Sequence, residues 1–428
     1  MKKYFLIFLV SAYAFSCQSY RDVKRSCNYD ESKVKPYVLP DPLICLDGTV
    51  VTSARLWWAK RRPELLSLFE THVYGKTPRR EHDTVIFSVH KVKKVLNGKA
   101  LMKEIDVFFT PRCDTHSMRM LLFIPVGKTK VPCFVGLNFY GNICVMADTS
   151  VSMTDRWMRE EHESIVNHRA TEKTRGIHAS RWPVEKIIDR GYAVATAYYG
   201  DLDPDYDDGF VNGIHPLFYR KGQTRPDSAE WGAIGAWAWG ISRMVDYLQT
   251  DSCIDTTALI AIGHSRLGKT ALWAGAQDLR FDMVISNNSG CGGAALSKRQ
   301  FGENVLIINT YFPHWFCANF KKYNQHEEAL PVDQHELIAL IAPRPVYVAS
   351  ASKDLWADPK GEFLSVVHAS PVYRLLGKQE FPLKEDQMPP VNTPVFSALG
   401  YHLREGEHDI TVYDWEQYLN FADYHFRK

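Results

Sequence analysis

Short apolar runs alternate along this chain with longer stretches of helical spacing, and Gly, Pro, Asn and Asp punctuate the joins. Residues 84–89, 100–109 and 117–125 have the β-branched and aliphatic content of strands, and residues 131–138 and 192–199 are continuous apolar runs of the kind buried strands show. Residues 56–73, with Pro63 along their course, and residues 229–248, rich in Trp and Ala, read as helices. Three further strands are expected at 259–263, 345–350 and 400–404, the last followed by a helix-like tail over 411–421. Such alternation over about 390 residues predicts an α/β fold in one doubly wound domain, a mostly parallel sheet in a three-layer αβα sandwich. Residues 146–186, rich in charge, Ser and Thr, read as a loop insertion, and no internal repeat or low-complexity segment occurs.

The most informative of these junctions is Leu259-Ile-Ala-Ile-Gly263-His-Ser265-Arg-Leu-Gly268-Lys269, where an apolar strand enters a sharp turn bearing one serine and leaves it as a helix. This is the pattern of a nucleophile elbow, although Leu267 stands where the G-x-S-x-G form has its second glycine and Gly268 follows one residue later. A serine hydroxyl needs a general base and donors aimed at the oxyanion, and the helix N-terminus supplies unpaired N–H groups toward that charge. The partners occur in the chain order Ser, acid, His expected of an α/β-hydrolase. Asp354 follows the strand over 345–350, and His408 lies between the strand over 400–404 and the final helix. Asp358, four residues beyond Asp354, is the rival acid. Residues Phe139-Tyr-Gly-Asn142 occupy the place from which this fold takes its second backbone oxyanion donor.

With these residues in place, the chain over 40–428 resembles the glucuronoyl esterase family of carbohydrate esterases, in particular its bacterial branch. The resemblance rests on Gly263-His-Ser265-Arg266-Leu-Gly268-Lys269, Ser289-Gly-Cys-Gly-Gly293, Gly302-Glu303-Asn304, His314-Trp-Phe316, Asp354-Leu-Trp356-Ala-Asp-Pro359 and Gly406-Glu-His408. It implies the α/β-hydrolase fold, Ser265 as nucleophile, His408 as base, Arg266 as an oxyanion-stabilising side chain, and Lys269, Glu303 and Trp356 as contacts to a uronic-acid ring. Many members carry a glutamate as the acid just before the Ser-Gly-x-Gly-Gly segment. Asn288 stands there in this chain, so the resemblance passes the role to Asp354. The substrate it implies is the ester between (4-O-methyl-)glucuronic acid on xylan and a lignin alcohol. An acetyl xylan esterase-like deacetylase is the alternative within enzymes, and a glycan-binding lipoprotein without catalysis is the alternative outside them.

Several of these residues also have plainer readings. Arg266 and Lys269 stand in the first turn of a helix, where the dipole disfavours cations, so a substrate or transition-state anion explains them better than surface solvation does. Glu303 could be a solvated carboxylate, Trp356 a core aromatic, and His408 a surface histidine. The acidic run over 200–208 lacks EF-hand spacing and reads as a solvated loop.

Composition removes other classes. With 51 basic and 49 acidic residues, nothing points to nucleic acid or a polyanionic partner. No metal-ligand spacing, phosphate-cradling loop or dinucleotide fingerprint appears, and serine hydrolysis requires no cofactor. Nine scattered cysteines form no disulfide framework, and Cys133 and Cys291 read as small packed hydrophobes. Residues 1–16, a basic start, an apolar core and small residues, read as a secretory signal. Cleavage before Cys17 would leave a lipid attached there and a lipoprotein at the cell envelope; simple cleavage after Ala14 would leave a free chain. Residues 17–39 are expected to form a tether or a short wrap over the domain, and a monomer is the expected state.

Overall fold

The computed structural model describes residues 23–25, 27–78, 85–110 and 116–427. The signal at 1–16 and Cys17 lie outside them. Ten strands make the main sheet: β1 (Ile86–Val95), β2 (Ala100–Phe108), β3 (Ser117–Pro125), β4 (Val131–Asn138), β5 (Ala193–Tyr198), β6 (Ile254–His264), β7 (Met283–Asn287), β8 (Val346–Ala351), β9 (Val395–Phe396) and β10 (Leu399–Arg404). Their spatial order is β1-β2-β3-β5-β4-β6-β7-β8-β10-β9. The strands from β5 to β10 pair in parallel through the centre, and antiparallel pairs form both edges. This is the α/β-hydrolase arrangement, and every expected strand is present with its ends moved by a few residues.

Helices cover both faces of the sheet, as adjacent residues of β10 show. Tyr401 packs edge-on against Phe363 of the helix Pro359–Leu375, whereas His402 stacks on Tyr418 of the helix Val412–Phe426. Successive strand side chains point to opposite faces, so these two helices flank the sheet. The largest fully buried side chains include Trp57, Trp237, Trp273 and Trp415, which belong to the single hydrophobic core. Cys133 and Cys291 are buried free thiols, in line with the packing role expected of them. The insertion over 146–186 is built on a short hairpin, Ile165–Val166 with Arg169–Ala170.

One expectation fails. The acidic loop over 200–208 is not simply solvated: Asp201, Asp203 and Asp205 are buried. Each finds a donor that the local sequence does not display. Asp201 accepts from Arg119 N at 3.1 Å, Asp203 from the His215 ring at 3.2 Å, and Asp205 from His314 and Trp315. A buried carboxylate is tolerable when so partnered.

Candidate active site

The elbow arises where β6 ends and the helix Arg266–Gln277 begins. Ser265 sits between them at φ 57° and ψ −128°, a conformation that costs a non-glycine residue energy and is held by its neighbours. Ser265 N donates to Asn287 O at 2.9 Å, and Gly268 N to Ser265 O at 2.9 Å. The turn is tight enough that a Cβ on Gly263 would lie 1.9 Å from Leu267 O. The glycine requirement thus falls on Gly263, while the side chain of Leu267 turns into the core.

From this tip a hydrogen-bonded chain runs through three elements. His408 Nε2 lies 2.9 Å from Ser265 Oγ, and His408 Nδ1 lies 2.5 Å from Asp354 Oδ2. The His408 side chain is 39% exposed and that of Asp354 only 3%, so the imidazole faces the cavity while its acid is sealed from water. Burial alone would push the Asp354 carboxyl upward, but hydrogen bonding and charge interaction with His408, with a bond from Asn288, hold it below its ordinary value. Asn288 Nδ2 donates to Asp354 Oδ2 at 2.9 Å, so the residue standing in place of a glutamate orients the aspartate. The rival Asp358 is elsewhere. It caps the helix Pro359–Leu375 through a bond from Gly361 N at 2.9 Å and accepts from Arg299 Nε at 2.9 Å.

These groups open into a cavity of about 210 Å³ that Arg266, Lys269, Glu303 and Trp356 also line. Arg266 is pinned by Asp205 and stands above the rings of Phe139 and Trp315, with Cζ 5.5 Å and 5.1 Å from their centres. The Asp205 carboxylate also accepts from His314 Nε2 at 2.9 Å and Trp315 Nε1 at 2.6 Å. Burial would raise its pKa, but Arg266 and His314 drive it far down, so it stays ionised. Arg266 Nε is left buried without a hydrogen-bond partner among the described residues. Lys269 is buried, donates to Ser289 O at 2.5 Å, and has its pKa lowered by desolvation against the opposing pull of Glu303. Burial pushes the Glu303 carboxyl up to about 7, with Lys269, Lys24 and Arg266 acting against the shift and Asp354 with it.

Two outcomes differ from the sequence reading. None of Phe139 to Asn142 lines the cavity around Ser265. Phe139 lies beneath Arg266 instead, and the Asn142 side chain is committed to Asn138 and Arg119 O. Sequence reasoning also missed Asp205, His264 and Glu362. His264 packs its ring 4.7 Å from that of His408 and bonds Asn287 Oδ1 at 2.6 Å. Glu362 accepts from Ser289 N at 2.7 Å and Gly290 N at 2.9 Å, bracing the loop that carries Asn288. The acidic run was a usable signal for Asp205; a lone Glu inside a helix offered none for Glu362.

A fungal glucuronyl esterase family model matches residues 219–377. A carbohydrate esterase from an unknown prokaryotic organism is 50% identical over 403 residues, covering 94% of this chain and 92% of its own. A 4-O-methyl-glucuronoyl methylesterase of Hypocrea jecorina is 36% identical over 155 residues, 34% of each chain. Among solved structures, a promiscuous carbohydrate esterase family 15 (CE15) esterase from a marine bacterial metagenome superposes with a TM-score of 0.88 at 49% identity, covering 94% of this chain and 100% of that one. The glucuronoyl esterase from Solibacter usitatus superposes with 0.87 at 47% identity, covering 92% and 99%. With the hydrogen-bonded chain at a serine elbow and a relative matched along nearly its whole length, this protein is a carboxylic ester hydrolase and belongs to the glucuronoyl esterase family of carbohydrate esterases.

Proposed function

We propose that the protein is an exported serine esterase that hydrolyses esters of (4-O-methyl-)glucuronic acid, as in xylan–lignin cross-links. The observation that carries this reading is the chain from Ser265 through His408 to Asp354, opening into a cavity whose walls bear charged and aromatic side chains suited to a sugar acid. His408 Nε2 takes the Ser265 proton as Oγ attacks the ester carbonyl, and Asp354 steadies the resulting imidazolium. The oxyanion is met by the Arg266 backbone N–H at the helix start and by its guanidinium. His408 then protonates the departing alcohol, and water, deprotonated by His408, releases the free acid. The basic-apolar leader and Cys17 support an envelope location, with a lipid on Cys17 as anchor.

Purified protein assayed on methyl glucuronate and on acetylated xylan tests this reading. Turnover of the first well above the second is expected; the reverse would make it a deacetylase. Lys269→Ala and Glu303→Ala should each cost about 1–3 kcal/mol of transition-state binding on the uronate ester and leave a small acetate ester nearly unaffected. Because Glu303 ionises at about 7, affinity for the uronate ring should strengthen as pH rises through that value, its carboxylate accepting stronger hydrogen bonds from hydroxyls, and Glu303→Gln should flatten this dependence. A dependence unchanged in Glu303→Gln would place the titrating group elsewhere.

Arg266 should behave differently, since an oxyanion forms whichever acyl group is attacked. Arg266→Ala is expected to lower kcat on both esters by about 10²–10³. Asp205→Asn, which removes the charge that holds the guanidinium, should reproduce part of that loss on both substrates. A fall in Tm with kcat unchanged would restrict Asp205 to a stabilising role.

A further inference from the structure

The described residues of the polar segment between 17 and 39 pack against the domain. In its described part Asn28 O accepts from Gly302 N at 2.8 Å, Glu31 pairs with Arg299 at 2.5 Å and Lys360 at 3.2 Å, and the Tyr29 ring meets Phe301 edge-on at 6.2 Å. The surface it grips is the wall of the catalytic cavity. Glu303 N donates to Trp356 O at 3.0 Å, and Gly302 packs so closely that a Cβ there would lie 2.5 Å from both Leu355 O and Trp356 O. Strap, Glu303 turn and Trp356 loop are therefore interlocked.

The strap also folds back on itself. Tyr29 Oη donates to Lys24 O at 2.6 Å and Cys27 Sγ to Val23 O at 3.2 Å, holding residues 23–25 as a helical turn. That turn sets Lys24 among the residues lining the cavity with Ser265, His408, Glu303 and Trp356. Its ammonium stands 5.0 Å from the centre of the Trp356 ring. The other cations of the cavity are committed, Arg266 to Asp205 and Lys269 to Ser289 O, whereas Lys24 makes no ion pair among the described residues.

We propose that Lys24 is a specificity-determining residue, and that its ammonium donates to hydroxyl or ether oxygens of the acyl sugar where the sugar ring meets Trp356. An ammonium carries three donors and no acceptor, which suits the oxygen-rich edge of a pyranose and contributes nothing to an acetyl group. Lys24 lines the same cavity as Glu303 and Trp356, the two side chains read above as contacts to the uronic-acid ring. The inference rests on the uronate reading above and extends it: a residue outside the hydrolase domain proper completes the sugar site.

Steady-state kinetics of the full chain on methyl glucuronate and on p-nitrophenyl acetate test it. Lys24→Ala is expected to raise KM for the uronate ester about five- to tenfold with kcat within a factor of about two, the loss of one charge-assisted hydrogen bond at a partly exposed site. Lys24→Arg should restore most of the loss, and the acetate ester should respond to neither variant. Glu31→Ala, which unfastens the strap, should raise the uronate KM in the same direction by a smaller factor. An unchanged uronate KM in Lys24→Ala, or equal losses on the two esters, overturns the proposal while leaving the uronate reading standing. A wild-type protein inactive on methyl glucuronate but active on acetate overturns that reading first, and the role of Lys24 with it.

Discussion

Ser265→Ala and His408→Ala are each expected to lower turnover by about 10⁴–10⁶, with the double variant little worse than either alone. The reason is geometric: the 2.9 Å contact between His408 Nε2 and Ser265 Oγ makes the two side chains one device, and half of it has no function. Residual activity should persist from the helix N-terminus and Arg266, which do not depend on the nucleophile. Single- and double-variant kcat values on one ester measure this directly. Losses that multiply would mean that the two residues act in separate steps. Folding should be preserved in Ser265→Ala, since the hydroxyl it removes serves chemistry rather than packing and alanine keeps the Cβ, and with it the strain, at φ 57°.

Asp354→Asn is the second large effect, an expected loss of about 10⁴ in kcat through the wrong imidazole tautomer and an unstabilised imidazolium. Asp358→Asn should leave kcat near wild type and lower Tm, because an asparagine can still cap the helix but leaves the buried Arg299 without its buried charge partner. The opposite ranking would move the acid to Asp358. Since Asn288 Nδ2 touches Asp354 Oδ2, a carboxylate introduced by Asn288→Glu comes close to the position it must replace, and it should restore part of the activity of Asp354→Asn. The depressed pKa of Asp354 also fixes a sign. Its stabilising contribution is fully present above the ordinary aspartate value of about 3.9 and is lost as pH falls through its lower folded value. A wild-type Tm more acid-sensitive than that of Asp354→Asn below about pH 4 is the expected result.

What the sequence by itself determined is what short range encodes. The elbow is strand, turn and helix within one continuous stretch, so Gly263, Ser265 and Gly268 announce it without a partner. The strand ends that carry Asp354 and His408 were legible for the same reason, as apolar runs closing in polar loops. The choice of Asp354 over Asp358 rested on its place directly after the strand and on the family resemblance; where each side chain points was not legible, because the two share a loop and part only after the backbone turns at Asp358, which has φ 51°. The acidic loop was misread for a related reason. Asp205 meets Arg266 across 61 positions and Trp315 across 110, and charge pattern along a chain records none of the donors that make burial affordable. Lys24 belongs with these: a lysine in a polar stretch looks like solubility until the strap folds it over Trp356. Local propensity and periodicity are properties of neighbours in sequence, while desolvation, ion pairing and the walls of a cavity arise among residues that only tertiary packing makes neighbours.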